Sequence, residues 1–193
     1  MPPKARITRD MILDAAFDLV RAEGHEALNV RTLAKRLGCS TQPILYNFAA
    51  VEELKDAVYQ RADEFHTAYI LPKGGEGADA LLELGLNYVR FGHEEKHLFR
   101  FLFESDRFGG MDFKGLLRWP GSDELVAILA EALGCPAAEA EKLFMTFFAA
   151  AHGLGSLLCN NAMEYDETEC AAMLETVFNG ALAALTSKGE EYA

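Results

Sequence analysis

Apolar residues recur along this chain at three- and four-residue intervals, the spacing of helices that bury one face. Ile12, Ala15, Ala16, Leu19 and Val20 mark the buried side of a helix predicted over Arg9–Glu23, with Thr8 as its N-cap and Gly24 as its stop. Val30, Leu33, Ala34 and Leu37 mark a second, shorter helix, capped by Asn29 and ended by Gly38. Ser40 is then placed to cap a third, with Pro43 in its first turn, where a missing N–H costs little. Leu28, Leu37, Cys39 and Leu45 read as core. A fourth helix is predicted from about Glu52 to Tyr69, with Leu54, Ala57, Val58, Arg61 and Phe65 roughly along one face. The run Leu71 to Gly77, with three glycines and a proline, reads as a linker. A fifth helix over Ala78–Gly92 is apolar on more than one side and is expected to be central. Further helices are predicted over Asp123–Leu133 after a Ser122 cap, from Ala137 to about Asn160, and over Asp166–Leu185. The predicted fold class is all-α: an N-terminal three-helix helix-turn-helix domain over 6–66, the helix-turn-helix itself at about 29–48, and a C-terminal helical domain over 72–193.

Short helix, glycine-containing turn, short helix is a unit that lays its second helix in the DNA major groove. Thr41 and Gln42 fall at the start of that second helix, the end nearest the base edges. A glutamine can bond adenine N6 and N7 together, and a threonine methyl can touch a thymine methyl. Ser40, Tyr46 and Asn47, with Arg31 and Thr32 from the preceding helix, are candidates for phosphate or sugar contacts. Lys55 in the fourth helix and Arg6 in the N-terminal arm, with Lys4 and Arg9, are candidate cations for the backbone or the minor groove.

The same stretch resembles the N-terminal DNA-binding domain of the TetR family of bacterial transcriptional regulators over about residues 6 to 66. The resemblance rests on Ala15-Ala16 and Gly24, on Leu33-Ala34, on Gly38-Cys39-Ser40, on Tyr46 and Phe48, and on Glu52-Glu53-Leu54. It implies a ligand-responsive repressor that acts as a homodimer on a palindromic double-stranded operator. One departure stands out. Where the family commonly opens its fourth helix with a Ser-Lys pair, this chain has Ala50 and Val51, so a cap and a phosphate contact are expected to be missing.

Charge changes this picture only in its distribution. The net charge is −12. Through Arg61, nine basic residues face eight acidic ones; beyond it, nine face twenty-two. The acid therefore lies outside the expected reading head, and weak non-specific DNA affinity follows. No leader or membrane-spanning apolar run was expected, which points to a cytoplasmic protein without a membrane partner. Cys39, Cys135, Cys159 and Cys170 are widely spaced, as reduced packing residues are, and neither metal nor cofactor is expected.

The C-terminal half suggests two further properties. Its last two helices are long and rich in Ala and Gly, among them Gly153 and Gly180, as helices are that pair with a symmetric copy; a homodimer through them is expected. The segment with His152-Gly153 again resembles the TetR family, more weakly. Aromatic residues crowd His97 to Phe108, namely Phe99, Phe101, Phe103 and Phe108, with Met111, Phe113 and Trp119 nearby; Phe103, Trp119, Phe144, Phe148 and His152 are candidates to line a pocket for a small apolar or aromatic ligand. Two rival readings remain. One is a helical ligand-binding module with weakened DNA binding, suggested by Ala50, Val51 and the acidic balance. The other is a zinc hydrolase: His93-Glu94-Glu95-Lys96-His97 matches H-E-x-x-H, which on one continuous helix puts two imidazoles and a general base together.

Overall fold

A computed structural model describes residues 7–74, 77–105 and 122–190, with side chains to residue 184. Arg6, Lys4, Phe108, Met111, Phe113 and Trp119 lie outside the described residues. Among the described residues all regular structure is helical. The helices are α1 (Arg9–Glu23), α2 (Val30–Arg36), α3 (Gln42–Asn47), α4 (Val51–Ile70), α5 (Gly77–Glu94), α6 (Lys96–Phe103), α7 (Ser122–Leu133), α8 (Ala137–Cys159) and α9 (Glu167–Glu190), with one 3-10 turn at His25–Ala27. They form two compact units, Met1–Ala68 with Glu95–Ser105, and Tyr69–Glu94 with Asp106–Ala193. The sequence placed everything after residue 72 in the second domain; residues 95–105 join the first unit instead, because α6 packs on α1.

In the first unit the caps form largely where side-chain chemistry asks for them. Thr8 Oγ1 accepts from the Met11 N–H at 3.3 Å, and Asn29 Oδ1 from the Thr32 N–H at 2.9 Å. Gly38, at φ 63°, provides the left-handed turn after α2. Ser40 is not a cap. Thr41 holds the cap position instead, with helical dihedrals and no side-chain cap bond, and its carbonyl accepts the first α3 bond from the Leu45 N–H. Leu33, Ile44, Phe48, Leu54 and Val58 close the core around Ile12, Leu19 and Val20, and Phe17 meets Phe65 edge to face. α6 adds Leu98, Phe99 and Phe101. Leu45 departs from the expected core: it is 52% exposed.

His66 of α4 is buried beside the Phe103 ring, 5.0 Å away. Burial pushes its imidazole down to about 4. An unfolded histidine titrates near 6.5. Between those values the unfolded chain binds the extra proton, so stability falls as pH drops through that window. Going from pH 7 to pH 5, this group alone is expected to remove about 2 kcal/mol. Chemical denaturation of wild type and His66→Phe at both pH values checks it: the variant should lose that part of the pH dependence.

In the second unit α5 packs against α7, α8 and α9, and α8 against α7 and α9. Two close approaches set the geometry. A Cβ on Gly92 would lie 2.7 Å from the Gly155 Cα and 2.8 Å from its carbonyl oxygen, so α5 and α8 cross backbone to backbone. A Cβ on Gly85 would lie 2.5 Å from the Phe147 ring. Arg90 pairs with Glu167 at 3.0 Å, tying α5 to the start of α9, and Asp166 caps α9 through the Glu169 N–H. By length and composition α8 is apolar enough to cross a membrane, contrary to the sequence reading. Its buried residues, from Ala140 to Cys159, are packed within this unit.

Candidate nucleic-acid interface

The second helix of the helix-turn-helix, α3, is six residues long and has two distinct sides. Ile44 is 1% exposed and anchors the inner side. Gln42, Leu45 and Tyr46, spaced i, i+3, i+4, share the outer side, and all three are exposed. Tyr46 reaches 81%. Thr41 is half-buried at the helix start, and Ser40 is exposed just before it. Arg31 is exposed and Thr32 half-buried on α2.

Other candidate contacts are engaged within the head. Asn47 Nδ2 donates to the Pro43 carbonyl at 2.7 Å, closing the last turn of α3. Lys55 Nζ pairs with Glu52 at 3.0 Å. Arg9, considered for the DNA backbone, is a strut instead. It donates to the Asn47 carbonyl at 2.5 Å, pairs with Glu53 at 3.0 Å and lies 4.0 Å over the Phe48 ring. It thereby joins α1 to the end of α3 and the first turn of α4. The cap expected to be missing at Ala50 is partly replaced, since Glu53 Oε2 accepts from the Ala49 N–H at 2.9 Å. The head is also braced at its far end. Arg21 Nε donates to the buried Glu95 at 2.8 Å, and its Nη2 donates to the other carboxylate oxygen, a bidentate pair. That hydrogen bond outweighs burial and raises the arginine further above its ordinary value.

The sequence reading missed the outward placement of Leu45 and the internal roles of Arg9 and Glu53. The first was available from spacing, since residues 42, 45 and 46 must share a side of any helix. The contacts of Arg9 lie 38 and 44 positions away in sequence, which no local pattern carries, whereas the Glu53 bond to the Ala49 N–H spans only four.

The ligand candidates fall in different places. In the second unit, Phe148 stacks between Phe144 and His152, with centroids at 6.4 and 5.8 Å. His152 Nδ1 shares a 2.9 Å hydrogen bond with the Tyr88 hydroxyl, whose proton is held by burial well above the ordinary phenol value. Phe103 belongs to the first unit, against His66 and Phe99. Trp119 is outside the described residues. The H-E-x-x-H match does not lie on one helix. α5 ends at Glu94 and α6 begins at Lys96, so His93 falls in the second unit and His97 in the first. His93 stacks on Tyr165 at 4.4 Å, and Glu94 accepts from the Tyr69 hydroxyl at 2.6 Å. The one-face geometry that zinc chemistry needs is therefore lost at Glu95.

No protein-family model matches the sequence. The chain is 31% identical over 78 residues to the class D tetracycline repressor protein of Escherichia coli; the match covers 40% of this chain and 36% of that repressor, so just over a third of the curated relative is spanned. Among solved structures it resembles a TetR-like transcriptional regulator from Rhodococcus sp. RHA1, with TM-score 0.65 at 18% identity, covering 95% of this chain and 98% of that one. A TetR-family transcriptional regulator from Streptomyces coelicolor superposes with TM-score 0.54 at 23% identity, covering 98% of both chains. At such identities the structural likeness is one of fold.

Proposed function

We infer that this chain is a DNA-binding transcriptional regulator of the TetR family that uses α3 as its recognition helix. The observation that carries this reading is the two-sided α3. Gln42 and Tyr46 stand out to solvent while Ile44 anchors the other side. A helix so held can enter a major groove without disturbing the core. Gln42 reads an adenine edge and Thr41 lies beside it at the base edges; Tyr46, Ser40, Asn47, Arg31, Thr32, Lys55 and Arg6 supply the backbone-side candidates.

The active species is a homodimer formed through α8 and α9. Support comes from their uncovered sides, where Cβ positions built on Gly153 and Gly180 meet nothing within 4 Å and Leu157 and Met173 are exposed. Two copies of α3 then meet successive grooves of a palindromic operator, about 34–36 Å apart. The chain acts in the cytoplasm as a repressor, and a small apolar or aromatic ligand taken up beside Phe144, Phe148 and His152 shifts the dimer between two head separations.

Binding of purified protein to DNA flanking its own gene tests the proposal. A sequence-dependent shift that weakens with salt is expected. Gln42→Ala should weaken specific binding by about tenfold or more and leave non-specific binding unchanged. If no sequence-dependent shift forms at any dimer concentration, the reading fails. A second reading, a ligand-binding module whose head no longer grips DNA, draws support from Glu52 and Glu53 in the first turn of α4 and from the Lys55–Glu52 pair. An unaltered Gln42→Ala variant would favour it.

A further inference from the structure

Leu45 is the residue on the outer side of α3 that hydrogen bonding cannot explain. It is half exposed between Gln42 and Tyr46, the two polar residues proposed to face DNA. It is not an isolated apolar side chain. It continues into a shallow apolar seam with Val30, Phe48, Ala50, Val51 and Leu54, where the first turn of α4 meets the helix-turn-helix. Val51 and Val30 are only half-buried and Ala50 is exposed, so this apolar strip reaches the surface beside the reading residues. The side chains of this strip carry no donor with which to hold a phosphate oxygen. In a major groove, the sequence-bearing group it can hold is the thymine 5-methyl.

We propose that Leu45 is a specificity-determining residue that reads a thymine methyl in each operator half-site, one base step from the pair read by Gln42. The proposal rests on α3 being the recognition helix. The step follows from geometry. Residues three apart on a helix are displaced by about 4.5 Å along its axis, comparable to the 3.4 Å between stacked base pairs. Glutamine selects adenine and leucine selects the methyl of thymine, so the half-site core is an A·T-containing step in which a G·C pair at the Leu45 position offers the side chain no methyl.

Uracil scanning separates this contact from every other. Deoxyuridine keeps the pairing and the groove acceptors of thymine and removes only the methyl. Full-length protein is first used to select binding sites from random duplex DNA, and each thymine of the selected site is then replaced by deoxyuridine in turn. At one thymine adjacent to the Gln42-dependent pair, wild type is expected to lose about four-fold in affinity per half-site, the effect of one methyl group removed from contact. Leu45→Ala should lose a similar factor on the thymine site and be indifferent to uracil there. Because Leu45 is exposed, the variant should keep its helical content and melting temperature, measured in parallel; a variant that loses them is replaced by Leu45→Gln, with the same expected indifference. Selected sites that tolerate uracil everywhere, or a uracil penalty equal in wild type and variant, overturn the proposal and assign Leu45 to sugar contact alone, with α3 still the recognition helix. Failure to select any site overturns the recognition-helix reading itself, and this proposal with it.

Discussion

Gly92→Val is expected to lower the melting temperature by about 8–16 °C, corresponding to roughly 4 kcal/mol. The cause is local and stiff. Any Cβ at this position meets the backbone of Gly155 at 2.7–2.8 Å. A flexible side chain could swing aside, but the α8 backbone yields only if the helix shifts as a whole. Such a shift would open the contacts of Val89 and Phe91 on one side and of Leu154 and Leu158 on the other, all buried. Overpacking a core commonly costs about 1–3 kcal/mol, and a β-branched residue aimed at a backbone belongs at or beyond the top of that range. Calorimetry of Gly92→Ala and Gly92→Val checks it. The loss should grow with the size of the substituent, and equal melting temperatures for the two would show that the crossing is looser than these distances require.

Arg21→Ala should cost about 2–4 kcal/mol through the first unit alone. Glu95 is 8% exposed and its two carboxylate oxygens are held by the two guanidinium nitrogens. Removing the arginine leaves a buried carboxylate without its principal donor. The outer half of Arg21 is in water, which keeps the expected loss below that of a fully buried pair. Denaturant unfolding of Arg21→Ala, Glu95→Gln and the double variant reads the coupling directly. The double variant should be closer to wild type than the sum of the singles. Strict additivity would mean that the two side chains do not act as a pair.

Helix type and order were readable because the periodic stripes are strong. Ile12, Ala16, Leu19 and Val20 all proved buried, and Thr8 and Asn29 cap as their side chains predict. The third helix was the weak point. At six residues it is too short for a stripe to separate inside from outside, and Leu45 was assigned by polarity when position decides it. Nor could local pattern find that Arg9 is tied to Asn47 and Glu53, partners distant in sequence. The helix junction after residue 92 was expected, the predicted fifth helix ending at Gly92, and the H-E-x-x-H match fails because its letters assume one helix across that junction.

Glu94 and Glu95 are neighbours along the chain and serve different bodies, the former bonded to Tyr69 and the latter to Arg21. The order of synthesis therefore differs from the order of assembly. When a ribosome has released residues 1–68, the surface of α1 that receives Leu98, Phe99 and Phe101 is still bare. The N-terminal body must wait for α6 before its interior closes, while α5 is already present and searching for its own neighbours. A fragment cut at residue 68 would lack that inner layer, whereas one that carried Glu95–Ser105 along would retain it.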